Sequence, residues 1–232
     1  MKKIFTLSVL CSLLFACNGT TEKTMTVQGN VKGLKKGILY LQHVPDSTLV
    51  VIDSMQMDGS GEFSFSTEIE SPEIFYLYLN KKDNNDVNDR ITFFGEPGVI
   101  TINTNWNTFD SNAKIEGSDS NAKLEEYRKT MSRYNTKNLE ILSATYDPEI
   151  QKDSVAMDSI IKLSDKNIVR GYLFALNFAL NNRDSYIAPY IAVNEVPDAN
   201  KKYLDSINAA LTPEVANSKY GKKLQAYLKE IE

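Results

Sequence analysis

The hydrophobic pattern of the chain changes its period at Gly117, and this change limits what the chain can fold into. Over residues 25–116, short runs rich in Val, Ile, Phe and Tyr alternate apolar with polar residues and are separated by Gly, Asn and Asp. Such runs are typical of antiparallel strands. After Gly117, apolar residues recur every three or four positions, as they do in amphipathic helices. The sequence therefore predicts an α+β protein with an N-terminal antiparallel β-sandwich or open barrel of seven to eight strands over residues 25–117. A C-terminal α-helical segment of four to five helices is predicted over residues 118–232.

Turn residues mark the ends of the predicted strands. The sequence Asp58-Gly59-Ser60-Gly61 contains two glycines able to take positive φ, and it predicts a hairpin between strands at residues 49–57 and 62–65. Residues 74–79 are apolar on both faces, which predicts a central strand covered on each side. The sequence Glu96-Pro97-Gly98 predicts a tight turn between two further strands.

Apolar stripes predict which helix faces are buried. The first helix begins after residues 118–121, which offer N-caps, and a second begins at Asp147-Pro148. The stripe of the second helix, Ile150, Met157, Ile161 and Ile168, leads into residues 172–176, which are apolar nearly all round and are predicted to be buried. Three shorter helices are predicted to follow. The core positions of the first helix are Leu124, Tyr127, Met131, Tyr134 and Ile141.

The first 24 residues resemble a lipoprotein signal and tether. Lys2 and Lys3 precede an apolar stretch at residues 4–15 that is too short to span a bilayer. Its end, Leu14-Phe15-Ala16-Cys17, resembles the bacterial lipobox. We therefore expect residues 1–16 to be removed, Cys17 to be lipidated, and residues 17–24 to form a polar tether from the membrane to the folded part. Asn18 differs from the Asp that retains some lipoproteins in the inner membrane, which favours the outer membrane. The alternative is a secreted protein with a disulfide between Cys11 and Cys17.

Charge and residue counts exclude several classes of function. There are 26 Lys and Arg against 30 Asp and Glu, with no basic block, so nucleic acid is not an expected partner. One His and two Cys are too few for most zinc sites and for the usual catalytic triads. Cleavage before Cys17 would also leave no free thiol, which excludes thiol–disulfide exchange by this chain. We expect no enzyme activity, no catalytic residue, no metal site and no cofactor.

Several polar residues invite a functional interpretation, and each has a simpler structural one. His43 is expected to be a satisfied imidazole at a strand end, on the Leu39 and Leu41 face. Residues 81–89 are rich in oxygen ligands but lack the Gly and closing Glu of a calcium loop, so a solvated hairpin loop is expected. The carboxylates of Asp58, Glu62 and Glu96 are expected to be exposed in turns rather than paired for acid–base catalysis.

Aromatic residues supply the one candidate for ligand contact. Trp106 lies between Asn105 and Asn107 in a polar stretch after a strand. We identify Trp106 as a ligand-contact candidate. The alternative is that its ring only covers the edge of a sheet. The 12 Tyr residues could line a sugar or peptide groove, but most fall on helix stripes or strand faces, so we expect them in the core.

Turn and cap motifs also carry a resemblance to a known family. They are Ile52-Asp53-Ser54, Asp58-Gly59-Ser60-Gly61-Glu62-Phe63-Ser64-Phe65, Phe93-Phe94-Gly95-Glu96-Pro97-Gly98-Val99-Ile100-Thr101-Ile102 and Glu116-Gly117-Ser118, with Asp184-Ser185-Tyr186-Ile187-Ala188-Pro189-Tyr190 and Asn217-Ser218-Lys219-Tyr220-Gly221-Lys222 downstream. Together they resemble the N-terminal domain of unknown function, with its following helical segment, of thioredoxin-like (TlpA/ResA-like) lipoproteins of Gram-negative bacteria. In that family a thioredoxin fold with Cys-x-x-Cys follows, whereas this chain ends at Glu232. The family's redox chemistry therefore carries over to no residue here.

Three functions are compatible with these features. The leading expectation is a non-catalytic, lipid-anchored cell-envelope module that binds a ligand or a protein partner. The alternative is the accessory half of a split thiol–disulfide oxidoreductase that acts with a separate protein of thioredoxin fold. The third is a truncated gene product without activity.

Overall fold

The computed structural model describes residues 23–81 and 89–231. Its N-terminal part has eight strands in two four-stranded sheets, and the barrel is not closed. Sheet A has the order β4-β1-β7-β8 and sheet B the order β3-β2-β5-β6. The predicted α+β class and the sandwich are confirmed. The strands are β1 (Thr24–Lys32), β2 (Ile38–His43), β3 (Val50–Gln56), β4 (Glu62–Glu68), β5 (Glu73–Asn80), β6 (Arg90–Gly95), β7 (Gly98–Asn105) and β8 (Lys114–Glu116).

The hairpin predicted at Asp58-Gly59-Ser60-Gly61 is wrong. β3 pairs with β2 in sheet B, whereas β4 pairs with β1 in sheet A, so this turn carries the chain from one sheet to the other. Each end of the turn is bonded to its own sheet. The Met57 amide donates to the Gly37 carbonyl at 3.0 Å, and the Val31 amide donates to the Gly61 carbonyl at 2.8 Å. The two glycines do adopt positive φ, but they lie in the connection that takes the chain from sheet B to sheet A.

The turn at Glu96-Pro97-Gly98 also joins the two sheets. It leads from β6 in sheet B to β7 in sheet A. β7 then runs parallel to β1, with Met25 opposite Gly98, although the sequence predicted antiparallel strands. Between the sheets lies an apolar core that includes Met25, Val27, Leu39, Leu41, Phe65, Phe75, Leu77, Phe93, Ile100 and Ile102.

β5 is the covered central strand that the sequence predicted. It lies between β2 and β6. Phe75 and Leu77 point into the sandwich core, while Ile74 on the other face joins the core of the helical part. Alternating side chains of this strand therefore reach two cores, because helices cover one end of sheet B on its outer face.

Seven helices follow within the described residues, where the sequence predicted four to five. They are α1 (Asp119–Ser143), α2 (Pro148–Lys152), α3 (Ser154–Asn181), α4 (Ile187–Asn194), α5 (Lys201–Ala210), α6 (Pro213–Ala216) and α7 (Lys219–Glu230). The predicted second helix is divided because the Asp153 carboxylate caps a new helix start, accepting hydrogen bonds from the amides of Val155 and Ala156. Pro213 starts the additional short helix.

The start of α1 covers the edge of sheet B. The side-chain oxygen of Asn121 accepts a hydrogen bond from the Phe94 amide at 3.0 Å, and the Ser118 hydroxyl donates to the Phe94 carbonyl at 2.9 Å. About two turns later, Arg128 donates to the Thr92 carbonyl at 3.2 Å. These side chains satisfy the backbone groups that an edge strand leaves unpaired. The first helix is thereby fixed against β6.

Part of the predicted helical core is wrong. Ile161 and Ile168 of α3 are 49% and 53% exposed, and Leu173, within the stretch predicted to be buried, is 44% exposed. The side of α3 that is buried near them is formed instead by Ser164, Asn167 and Gly171. The stripe of α1 does face inward, since Leu124, Tyr127 and Ile141 are buried. In the described part of the chain, no helix combines the length and apolarity that crossing a membrane requires.

Candidate functional site

Three aromatic rings attach the helical part to the outer face of sheet B. The Phe94 ring of β6 contacts Tyr190 of α4 at 5.9 Å and Tyr220 of α7 at 6.0 Å between centroids. Tyr190 and Tyr220 contact each other edge to face at 5.2 Å. Phe94 is fully buried. Edge-to-face pairs of this kind add to the stabilisation from apolar burial, so the cluster holds α4 and α7 on the sheet.

A charged network lies beside this aromatic cluster. The ammonium group of Lys219, in the first turn of α7, contacts the Glu73 carboxylate of β5 and donates to the Val44 carbonyl at 2.6 Å. The second oxygen of Glu73 lies 3.3 Å from Nδ1 of His43. Glu73 itself is buried. A buried carboxylate needs such partners, so the network ties α7 to the ends of β2 and β5.

Next to these contacts, an open cleft of about 640 Å³ separates the 44–47 segment from α4 and α7. We call it the tyrosine cleft. Its lining includes Tyr76, Thr92, Tyr190, Asn194, Lys219, Tyr220 and Lys223. A second hollow, of about 860 Å³, lies on the other side of the 44–47 segment and shares Lys219 with the cleft. Strands from the β-sandwich and helices from the C-terminal half therefore form the walls together.

The phenols of the cleft resist ionisation. The pKa of Tyr190 is raised to about 12, chiefly by burial and also by the nearby Glu195 carboxylate, while Arg128 opposes both effects. Burial also raises the pKa of Tyr220 above its ordinary value. Both side chains are therefore neutral at physiological pH.

The cations of the cleft differ in how they are paired. Lys219 is neutralised by Glu73, whereas the Lys223 ammonium contacts only the Asn194 side-chain oxygen, at 3.4 Å, among the described residues. An exposed lysine next to aromatic faces can bind a polar or anionic ligand. The cleft thus contains an ammonium group and aromatic rings that can contact a ligand.

The His43 ring contacts Glu73 and Phe75. Within the described parts of the chain, no Ser or Cys side chain is hydrogen-bonded to the His43 ring, whose partner is Glu73. The ring also stacks on Phe75 at 5.5 Å. His43 thus occupies the position that the sequence predicted, a satisfied imidazole at a strand end. Residues 23–81 and 89–231 contain no cluster of three or more His, Cys, Asp or Glu side chains able to hold a metal ion.

The three turn carboxylates are not brought together. Glu62 lies opposite Asn30 of β1. Gly98, next to the turn that contains Glu96, lies opposite Met25 of β1. Met25 and Asn30 are about 16 Å apart along that strand. Asp58 is exposed, and hydrogen bonds from Ser60 lower its pKa. Glu96 is not an exposed turn acid as expected. It caps α1 by accepting hydrogen bonds from the Asp119 amide and, at 2.7 Å, from the Ser120 hydroxyl.

Trp106 lies in a different place from the tyrosine cleft. It begins a turn of 3-10 helix, Trp106–Thr108, after β7, and its ring covers Gly33 so closely that a Cβ there would lie 2.8 Å from the ring. It is 46% exposed and borders a shallow hollow with Lys35 and Lys36. Trp106 therefore packs on the turn between β1 and β2, and its role in ligand contact stays a prediction.

Two other expectations fall wholly or partly outside the described residues. The signal peptide and Cys17 lie before residue 23, and residues 82–88 of the proposed solvated loop are not described. The two ends of that loop are described, and there Lys81 and Asp89 form an ion pair. Asp89 is buried, so at least this residue of the loop is not solvated.

Sequence reasoning missed most of the cleft residues. The sequence analysis placed most of the 12 tyrosines in the core. Of these 12, Tyr127 and Tyr220 are buried, whereas Tyr76 and Tyr190 are half-buried. Lys219 follows Ser218, a visible N-cap, but nothing local indicates its contact with a carboxylate 146 residues earlier. Glu73, an acidic residue at the start of a mainly apolar strand, was the signal that could have indicated this contact.

Comparison with known proteins identifies the N-terminal part of the chain. Residues 25–124 match the family model described as a domain of unknown function, DUF4369. The match includes all eight strands and the first turns of α1, and thus the Ser118 and Asn121 contacts to the edge of sheet B. Searches of curated proteins and of solved structures gave no match. Residues 25–124 are therefore similar to DUF4369, and they form a β-sandwich whose outer face supports the helices that follow.

Proposed function

We propose that this protein is a non-catalytic, lipid-anchored module of the cell envelope that binds a small ligand in the tyrosine cleft. The observation that carries the proposal is the composition of the cleft. Aromatic faces of Tyr76 and Tyr190 lie near the Lys223 ammonium in a hollow large enough for a small molecule. The anchor is proposed from Cys17 and its lipobox, and the outer membrane from Asn18.

The chemistry of the cleft favours a saccharide with an acidic group. Tyrosine rings pack against the flat apolar face of a sugar ring, and their hydroxyls hydrogen-bond with its polar edge. Lys223 has no carboxylate partner among the described residues, so its ammonium is available to a ligand carboxylate. Lys219 is not available in the same way, because Glu73 neutralises it.

Ligand-observed NMR tests this proposal on the chain purified without its lipid, as the Cys17→Ser variant. Saturation transfer to glucuronic acid, and to oligosaccharides that contain it, is expected to exceed transfer to glucose. Lys223→Ala is expected to remove that preference, and Tyr76→Ala to weaken the transfer to both sugars. Lys229→Ala on the same helix and Tyr203→Ala on α5 are matched controls outside the cleft. Absence of transfer to every sugar, or equal effects of the control variants, would refute saccharide binding in the cleft.

The second candidate is the accessory half of a split thiol–disulfide oxidoreductase. It is favoured by the DUF4369 match at residues 25–124, because the motifs in this region resemble those of thioredoxin-like lipoproteins. Pull-down of the native lipoprotein from solubilised envelope, followed by mass spectrometry, distinguishes it from the first candidate. Reproducible recovery of a thioredoxin-fold protein with Cys-x-x-Cys, released by high salt, would favour this second function.

A further inference from the structure

The helices α1 and α3 form an antiparallel arm that extends beyond the apolar cores of the protein. We define the arm as residues 132–171, from the C-terminal part of α1 through α2 to the N-terminal part of α3. Neither of the two hydrophobic cores includes a side chain from the arm. The helical core reaches Met131 on α1 and Tyr172 on α3, which are the residues on either side of the arm.

Polar groups hold the two helices of the arm together. The Ser164 hydroxyl donates to the side-chain oxygen of Asn138 at 2.8 Å, and the Asn167 amide group donates to the Tyr134 carbonyl at 2.9 Å. Both Ser164 and Asn167 are buried. Gly171 follows on the same side of α3, where a Cβ would lie 3.4 Å from Tyr134. Small and polar residues therefore form much of the contact between the helices, with Ile141 as a buried apolar residue of α1.

The outer surface of the arm is apolar instead. Eight of the fifteen exposed large hydrophobic residues in the described chain lie on it, although it has 40 of the 202 described residues. Leu139 is 70% exposed. The eight are Leu139, Leu142, Tyr146, Val155, Ile161, Leu163, Ile168 and Val169. A hairpin that stays solvated has the opposite arrangement, with its apolar residues between the helices. The outer surface therefore requires a partner.

Spacing places three of these residues on one surface. Ile161 and Ile168 are seven residues apart on α3, so they project from the same side of the helix within about 20°. Leu139 is next to Asn138, whose bond to Ser164 fixes the level of α1 against α3. Leu139 thus lies at the height of Ile161 and Ile168 along the arm. Leu139 of α1 and Ile161 and Ile168 of α3 are thus exposed apolar residues at one level of the arm.

The size and charge of this surface fit a second copy of the chain. The arm's part of α3, residues 154–171, is about 27 Å long, and two helices side by side are about 20 Å wide. Two such faces would bury on the order of 1,100 Å², at the lower end of what specific interfaces bury. The arm has six basic and six acidic residues, so two copies would not repel each other. A helix that lies on anionic lipid has a basic excess, which the arm lacks.

We propose that two copies of this protein associate through their arms and form a four-helix bundle. Each arm contributes α1 and α3, and the apolar residues around Ile161 and Ile168 form the centre of the bundle. The small interface predicts a concentration-dependent dimer. If Cys17 anchors the chain as proposed, two copies on one membrane would meet at a raised effective concentration.

Sedimentation velocity of the lipid-free Cys17→Ser chain tests the proposal. A monomer–dimer equilibrium is expected, and Ile161→Asp with Ile168→Asp should weaken the dimer about tenfold or more, since each copy would bury charge in an apolar contact. Tyr203→Asp, at an exposed aromatic on α5, is the matched control and should leave the equilibrium unchanged. Circular dichroism checks that the variants fold. A monomer at all concentrations up to about 500 μM would overturn the proposal.

Cross-linking localises the contact. In a background with Cys11→Ser and Cys17→Ser, Ile168→Cys treated with a short bismaleimide is expected to give a covalent dimer, and Tyr203→Cys is not. Equal yields from both positions would overturn the proposed site. When the experiment is repeated in envelope with Cys17 restored, since lipidation would block its thiol, a cross-link only to a different protein would assign the arm to another partner and likewise overturn the proposal.

Discussion

The hydroxyl oxygen of Tyr220 accepts a hydrogen bond of 3.1 Å from the backbone amide of Ile74. β2 ends at His43, opposite Phe75, so no strand residue of β2 faces that amide. The last helix therefore supplies the partner that the sheet lacks. Because both groups are buried, the central strand depends on a residue 146 positions away for its hydrogen bonding.

Removing this hydroxyl should destabilise the protein. Tyr220→Phe keeps the ring contacts with Phe94 and Tyr190 but leaves the Ile74 amide buried without a partner, which costs about 1–3 kcal/mol. Urea unfolding followed by circular dichroism measures the change. Tyr203→Phe, at an exposed position, is expected to stay within about 0.5 kcal/mol of the original chain. Equal stability of both variants would show that the bond contributes nothing.

The two halves should unfold together. A chain that ends at Gly117 loses the helices that cover Ile74 and Phe94, and each newly exposed side chain costs about 1.5–3 kcal/mol. It also loses the Asn121 contact with the edge of β6. Calorimetry is expected to show one transition for the mature protein and a lower melting temperature for the shorter chain. Two independent transitions, with the β-sandwich melting as it does in the full chain, would establish separate modules.

Stability should fall at alkaline pH because of the buried phenols. The folded-state pKa of Tyr190 is raised to about 12, above the value of about 10 in an unfolded chain. The neutral phenol therefore favours folding fully below pH 10, and this contribution is lost as pH rises from about 10 to 12. The free energies of unfolding at pH 9 and pH 11, obtained from urea titrations, should differ less for Tyr190→Phe than for the original chain, by about 1 kcal/mol. Tyr203→Phe should retain the full difference. An unchanged difference in Tyr190→Phe would mean that this phenol titrates normally.

The anchor prediction concerns one sulfur atom. Cys17→Ser should abolish labelling by fatty acid and leave the protein soluble or unprocessed, because the thioether to the lipid requires the thiolate. Cys11→Ser, within the segment expected to be removed, is the control and should still be labelled. Metabolic labelling with a palmitate analogue measures both. Labelling that persists in Cys17→Ser would refute lipidation at this residue.

Local patterns were sufficient to predict the strands, the first helix and the boundary between the strands and the helices. The change of period at Gly117 lies between the end of β8 at Glu116 and the start of α1 at Asp119. The predicted stripe of α1 is its inward face, with Leu124, Tyr127 and Ile141 buried. These features follow from residue spacing along a strand or a helix, which is a property of neighbouring residues and is readable from one sequence.

Tertiary packing decided how the elements pair. The residues of the 58–61 turn allow a hairpin, yet the chain crosses between sheets there, because Met57 is bonded to Gly37 beside β2 and Gly61 is bonded to Val31 of β1. Glu96 became a cap for α1 rather than an exposed acid, and Ile161 and Ile168 were left outside the core. The pairing of Lys219 with Glu73 likewise joins residues 146 positions apart. Each outcome depends on which distant groups compete for the same partner, and that competition arises only when the sheets and helices are brought together.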